Sequence, residues 1–405
     1  MQQTASRVAA ALTWTGRRFE RNVVVGVSAE GVITEVLRGG AEKSKVEDEA
    51  MPVRRLERQA LLPGFVNCHS HAFQRGLRGR GEDYERRVSS DGGNDGEARP
   101  SFWSWREEMY RLVGSMDEDR CYELTRQCFD EMRASGITTV GEFHYLHHGD
   151  AHFDLDAVVL RAAEDAGLRL VLLQALYLHG GFGEDGNGNG KGKGKRTALS
   201  ESQQRFGGGT ATQFWQQMDR LEHLTSASPL QSLGVVAHSI RACSPEETAE
   251  LYAEAWRRGL PFHMHVEEQP REVEECRAAH DGRSPMELIT TLLPAAVEKV
   301  AAASASRAAG GGGGAVDEPL SLFTAVHCNH TVPSELAHFR SLGGTVCVCP
   351  LTEGSLGDGG FFFSFLLLLF SHLLCSLFPV TVPSPLFASS LPSPLGCSSS
   401  ILFSS

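Results

Sequence analysis

The sequence shows no basic excess, no apolar stretch of secretory type at its start, no paired-cysteine framework and no internal repeat, and each absence argues against a class of function. Lysine and arginine number 38 against 50 acidic residues, a formal charge of -12. No sustained basic face offsets that balance, which argues against a nucleic-acid binder. Met1 to Thr13 holds no apolar stretch of secretory type. The 10 cysteines fall without the spacings of a disulfide framework or zinc ribbon. Cys121, Cys128, Cys243 and Cys276 therefore read as free thiols in a reducing cytosol, and a cytoplasmic enzyme is the expected class. A period suited to a solenoid is also missing.

Charge is missing altogether from Phe361 to Ser405, where no Asp, Glu, Lys or Arg occurs. Phe361 to Val382 is long and apolar enough for a membrane span, but no Lys/Arg flank orients one. The segment is almost wholly made of residues whose codons carry a middle pyrimidine. That bias fits a translated noncoding stretch better than a tail anchor, and we expect 360–405 to stand outside the fold.

What is present is a small β module, expected to be a β-sandwich, and then a strand–helix alternation. Short β-forming runs fill 1–60: Ala10 to Trp14, Val23 to Val27 and Val32 to Val36. From Leu61 onward, apolar runs ending in polar residues alternate with helical patterns such as Asp119 to Ser135. The runs are Leu61 to His71, Ile137 to Phe143, Leu168 to Gln174, Leu233 to His238, Pro261 to Val266, Leu322 to His327 and Gly344 to Cys349. Alternation of this kind predicts a parallel sheet covered by helices, here an α/β (β/α)8 barrel over 61–359 that stops before its eighth strand. Three polar or Gly-rich insertions, 80–100, 183–212 and 301–316, are expected to be surface loops with too little apolar content to pack.

In such a barrel, functional groups sit at the C-terminal strand ends. His69 and His71 end the first run, two residues apart and so on one face of an extended chain. His265 and His327 end two later runs. One histidine at a strand end is usually a core residue; four are a metal-site pattern. Three imidazoles with an open position suit a catalytic divalent cation, most often zinc, and Glu268 follows His265 closely enough to move a proton.

These motifs carry a resemblance. Leu61-Leu62-Pro63-Gly64-Phe65-Val66-Asn67-Cys68-His69-Ser70-His71, His265-Val266-Glu267-Glu268 and His327-Cys328-Asn329-His330 resemble the deaminase branch of the amidohydrolase superfamily. Five further stretches, His69 to Arg75, Ser101 to Arg111, Glu142 to His148, His238 to Ala242 and Cys349 to Gly359, are similar to formimidoylglutamate deiminases. The resemblance covers about residues 60 to 359. It implies hydrolytic deimination of N-formimidoyl-L-glutamate to N-formyl-L-glutamate and ammonia, a step of histidine degradation. It assigns His69, His71 and His265 to one divalent metal, most often Zn2+. Glu268 and His327 become catalytic, and Gln74, Arg106, Tyr145, His238 and Arg241 bind a small dicarboxylate. Arginine suits that substrate because its fork pairs with a carboxylate in two bonds. His144, His147 and His148 read as supporting loop residues, and Trp103 and Trp105 as packing at least as much as contact. The family also takes a metal-ligating Asp from its eighth strand. No such strand end follows Gly359, and Asp358 lies before it, so an incomplete centre is expected. No nucleic acid or membrane partner is expected beyond the tail question, and a homodimer stays open. The alternatives are a deaminase of a purine, pyrimidine or guanidino compound, or a catalytically dead membrane-associated protein.

Overall fold

The computed structural model describes residues 4–39, 52–80, 102–183, 195–207, 209–307, 316–356 and 401–403. The chain divides into two compact units, Met1–Phe65 and Val66–Ser405.

In the first unit, β1 (Thr4–Trp14) pairs antiparallel with β2 (Phe19–Glu20) and β3 (Val23–Ser28), and β3 with β4 (Ile33–Arg38). β5 (Val53–Leu61) joins β1 in parallel. Ala9, Val24 and Leu37 form its small core. The described residues make one five-stranded sheet, not the two-sheet sandwich expected of the module. A core this small covers one face of one sheet only.

The second unit follows the expected alternation. Its strands are β6 (Phe65–Ser70), β7 (Ile137–His144), β8 (Arg169–Leu176), β11 (Gln231–Ser239), β12 (Phe262–Val266), β13 (Phe323–His327) and β14 (Thr345–Val348), adjacent in chain order in one sheet. Between β8 and β11 lies a two-stranded ribbon, β9 (Gly181–Phe182) with β10 (Arg196–Thr197). The helices are α1 (Phe102–Gly114), α2 (Glu118–Ala134), α3 (Asp154–Ala166), α4 (Glu201–Gln204), α5 (Ala211–Thr225), α6 (Pro245–Arg258), α7 (Pro270–Ala279), α8 (Pro285–Arg307), α9 (Pro333–Ser341) and α10 (Pro350–Leu356).

Local signals set the helix ends. Asp117 accepts from the Arg120 amide to start α2, and Ser244 with Glu247 makes a capping box around a first-turn proline in α6. Gly259 stops α6 in the left-handed conformation, at φ 70°. The helices cover a sheet whose strands are buried on both faces, which is why β12 and β13 read as buried throughout.

The sheet curls nearly into a barrel. Cys68, on the first strand, shares a buried cluster with Val326, Cys347 and Cys349 from the far end of the strand order. The curl needs close approach at β6/β7: a Cβ on Gly141 would stand 2.7 Å from the Cys68 carbonyl oxygen.

The barrel has the seven strands expected of it, and the three-residue β15 (Ile401–Phe403) pairs parallel with β14 at the sheet edge. An open edge presents unpaired backbone groups, and Ile-Leu-Phe is a β-forming run that satisfies them. Two expectations about the insertions need correction. The insertion 183–212 is built in its second half: Gln203 and Phe206 are buried, with Gln203 donating to the Tyr177 hydroxyl at 3.0 Å. The insertion 301–316 begins as the last turns of α8, since Ala and Ser there are compatible with helix. Residues 81–100 and the candidate span Phe361–Val382 lie outside the described residues. Among the described residues no helix is long and apolar enough to cross a membrane.

Candidate metal centre and its cavity

At the C-terminal strand ends lies a cavity of about 250 Å3. His69 reaches it from β6, and His71 from the residue just beyond that strand. β12 supplies His265, and β13 supplies His327. His327 and Cys328 take the left-handed conformation, at φ 76° and 57°, as does Glu267 at 51°. Non-glycine residues are strained there, so three such residues at two neighbouring strand ends mark a site whose surroundings dictate the backbone.

The imidazoles converge. His69 Nε2 lies 3.1 Å from His71 Nε2 and 3.3 Å from His265 Nε2. The opposite nitrogens settle the tautomers. His71 Nδ1 donates to the Phe143 carbonyl at 2.8 Å, and His265 Nδ1 to the His238 carbonyl at 3.1 Å, because a carbonyl oxygen only accepts. Both neutral rings thus aim an Nε2 lone pair at His69 Nε2, and one N–H on His69 can satisfy only one of them. A shared cation satisfies all three, which is the arrangement of metal-binding histidines held by outer carbonyl partners. Burial depresses all three pKa values, with His71 brought down to about 4, so the rings are neutral ligands. The residues fit a divalent cation.

Beside them, Glu268 Oε1 is 3.5 Å from His327 Nε2, and its other oxygen accepts from Arg241 Nη2 at 3.2 Å. Glu268 is 7 % exposed, so it is a cavity carboxylate and not a solvated helix-start residue. Burial works against the His327 cation, but Cys349 and Glu268 outweigh it and hold the pKa well above the ordinary histidine value. Arg241 is pulled the same way: burial opposes its charge, while Glu272 and Glu268 overcome that opposition. Gln74 donates to the Tyr145 hydroxyl at 2.7 Å, and Arg106 to the Tyr110 hydroxyl at the same distance.

A family profile of amidohydrolases matches residues 60–361. The chain belongs to the amidohydrolase family. It is 35% identical over 349 residues to formimidoylglutamate deiminase of Pseudomonas aeruginosa, covering 85% of this chain and 64% of that relative. The chain therefore spans less than two thirds of that relative's length. The crystal structure of an amidohydrolase from Brucella melitensis superposes with a TM-score of 0.66 at 27% identity, over 88% of this chain and 67% of that one. An adenosine deaminase from Xanthomonas campestris, solved with bound zinc, shares the fold at 18% identity with a TM-score of 0.58, over 88% and 65% of the two chains.

Within this amidohydrolase cavity stand the ten residues expected to bind metal or substrate or to act in catalysis: His69, His71, Gln74, Arg106, Tyr145, His238, Arg241, His265, Glu268 and His327. Trp105 lines it as well, while the Trp103 side chain lies outside the described residues. Sequence reasoning missed Tyr110, Tyr177, Phe206 and Cys349, which also line the cavity, and Glu353, which holds His327 Nδ1 at 3.4 Å. The Cys-Pro-Leu-Thr-Glu run contained the signal for the last two, since Cys349 ends the seventh barrel run as the histidines end theirs. Among the described lining residues the carboxylate is Glu268, and no aspartate is present. Asp358 lies outside the described residues.

A second buried group, His144, His147 and Asp156, has metal-competent atoms. It is closed by its own hydrogen bonds. Asp156 Oδ1 meets His144 Nε2 at 3.0 Å and His147 Nδ1 at 2.8 Å, and Oδ2 accepts from Gln174 and Gln217 at 2.6 and 2.8 Å. His147 Nε2 donates to the Ala175 carbonyl at 2.8 Å. Desolvation raises the Asp156 pKa, but the two histidines overcome it and leave the carboxylate well below its ordinary range.

Proposed function

We propose that the chain is a metal-dependent deiminase that hydrolyses N-formimidoyl-L-glutamate to N-formyl-L-glutamate and ammonia. The observation that carries this reading is one cavity holding the three-imidazole cluster, a buried carboxylate and two arginines. The 35% identity to the Pseudomonas aeruginosa deiminase supports the substrate class.

His69, His71 and His265 would hold the cation, and zinc fits their neutral nitrogen donors. When bound, it supplies Lewis acidity that makes water nucleophilic at neutral pH. Arg106 and Arg241 pair with the substrate's two carboxylates. Gln74 and Tyr145, already bonded to each other, present a fixed polar edge for orientation, with His238 beside Tyr145 at 5.2 Å between ring centroids. Glu268 accepts a proton from the attacking water and passes it to the departing nitrogen. His327, cationic between Glu268 and Glu353, donates a hydrogen bond to the reacting group. The water oxygen bonds to the formimidoyl carbon, the bond to the terminal nitrogen breaks, and ammonia leaves as the new carbonyl forms.

The test is ammonia release from N-formimidoyl-L-glutamate by the zinc-loaded full chain, compared with an N-formimidoyl amine lacking both carboxylates. The expected result is turnover of the diacid and little of the truncated compound. Equal turnover of the two, or none of either by protein that retains metal, would overturn the assignment. A second reading, a deaminase of a flat heterocycle, draws on the aromatic lining of Trp105, Tyr110, Tyr145 and Tyr177. Preferential ammonia release from a purine or pterin would favour it.

A further inference from the structure

The guanidinium of Arg241, just past the end of β11, stands between two carboxylates of the chain itself. Nη2 donates to Glu268 Oε2 at 3.2 Å, and Nε lies 3.8 Å from Glu272 Oε2. The two partners differ in freedom. Glu272 sits in the first turn of α7, is 2 % exposed, does not line the cavity and accepts from the Glu268 amide at 3.3 Å. Glu268 lines the cavity, and its other oxygen lies 3.5 Å from His327 Nε2. Arginine keeps its charge at any working pH, so one buried at a cavity wall needs a counter-charge before a ligand arrives. A substrate carboxylate reaches Arg241 from the cavity. The partner it meets there is Glu268, and two like charges on one donor edge repel. Glu272 holds the guanidinium from outside the cavity and is not in the way.

We propose that Arg241 is a substrate-released latch on Glu268. In the ligand-free site Arg241 holds the carboxylate that must later accept a proton. A diacid takes over the Nη2 edge, Glu272 keeps Nε in place, and Glu268 is released with His327 still beside it. One charge-assisted hydrogen bond is exchanged for another, and no covalent bond changes in the step. Resting on the diacid-deiminase reading, this exchange couples recognition of a carboxylate to the freeing of the proton acceptor. A compound without that carboxylate cannot make the exchange. Discrimination against it then appears in kcat as well as in KM, because the binding contact is converted into assembly of the reactive site.

Calorimetric titration of the zinc-loaded full chain with N-formyl-L-glutamate, the product of the proposed reaction, tests the competition. Glu268→Gln removes the competing charge and should tighten binding by at least about fivefold, a size within the couplings measured between residues in contact. In an Arg241→Ala background the same change should alter affinity by less than about twofold, because the latch is already gone. Equal tightening in both backgrounds would show general relief of repulsion and overturn the proposal. Unchanged or weaker binding on Glu268→Gln alone would overturn it too. Absence of binding by wild type and Glu268→Gln alike would remove the diacid reading, and the latch with it. If Glu268→Gln does not fold, or the double variant binds too weakly to titrate, Arg241→Ala decides by kinetics. It should release ammonia from an N-formimidoyl amine lacking both carboxylates several times faster than wild type, since nothing then holds Glu268 back. An equal or slower rate would overturn the latch.

Discussion

Two buried clusters in this barrel offer a metal similar donor atoms, and they differ in whether those atoms already have partners. At His144, His147 and Asp156 the ring nitrogens and carboxylate oxygens named above are all engaged: Gln174, Gln217 and the Ala175 carbonyl complete the set. At His69, His71 and His265 the outer nitrogens of two rings are bonded to carbonyls, and the inner ones face each other across 3.1 and 3.3 Å. The first cluster ties α3 to β7 and β8; the second opens onto a cavity. Ligand-type residues in proximity therefore do not define a metal centre. Lone pairs aimed at one point do.

The comparison breaks most sharply at His265. His265→Ala is expected to abolish ammonia release and to reduce metal affinity by more than the roughly 100-fold typical of losing an outer partner, as checked by metal analysis of the dialysed protein. Metal retained at wild-type stoichiometry would dissolve the distinction between the clusters. Asp156→Ala is the converse change. It should leave metal content unaltered and lower folding stability by about 3–5 kcal/mol, the cost of breaking a buried charged network, measured by denaturant unfolding. Loss of metal without loss of stability would reverse the two assignments.

Arg241→Ala should raise KM for the diacid by at least roughly tenfold, since a hydrogen bond to a charged group contributes about 1.5–3 kcal/mol. Metal content should not change. An unaltered KM would remove Arg241 from substrate recognition.

The smallest effect concerns pH. Burial raises the Glu142 pKa to about 8, so the folded state keeps a proton that the unfolded state has lost at neutral pH. A raised folded pKa gives stability that is complete below the unfolded value and declines as pH rises through the folded one. His71 and His263, both depressed to about 4, act in the opposite sense, but only below their unfolded value of 6.5. Between pH 6.5 and 8 they drop out, and stability should fall with rising pH. Glu142→Gln should flatten that slope, with denaturant midpoints at several pH values as the measurement. An unchanged slope would exclude Glu142 as its source.

Gln74, Arg106, Tyr145, His238 and Arg241 were named from the family resemblance, and Arg106 lies within α1. His69, His71, His265 and His327 were legible because strand ends announce themselves: an apolar run stops and a histidine follows, with Glu268 close behind His265. The seven barrel strands were visible for the same reason, in runs such as Phe262 to Val266. Glu353 and Tyr177 were not, since their approach to His327 and His238 depends on contacts between residues far apart in the chain. The packing of Phe206 was hidden by the glycine-rich stretch that precedes it, whose composition masks one apolar residue filling a gap beside Tyr145. The pairing of β15 was hidden too, because composition reports what a segment can form and not which edge stands open to receive it.

By itself, then, the sequence determined the alternation of strands and helices and the histidines at the strand ends. Period and punctuation are local, and local chemistry suffices to read them. Only the tertiary structure decided which histidines converge on one another and which close on an aspartate. That depends on the curl that brings Cys68 against Cys347 and Cys349 and on the carbonyls of Phe143 and His238 that orient two imidazoles. Those partners come from neighbouring strands, so no spacing along the chain records them.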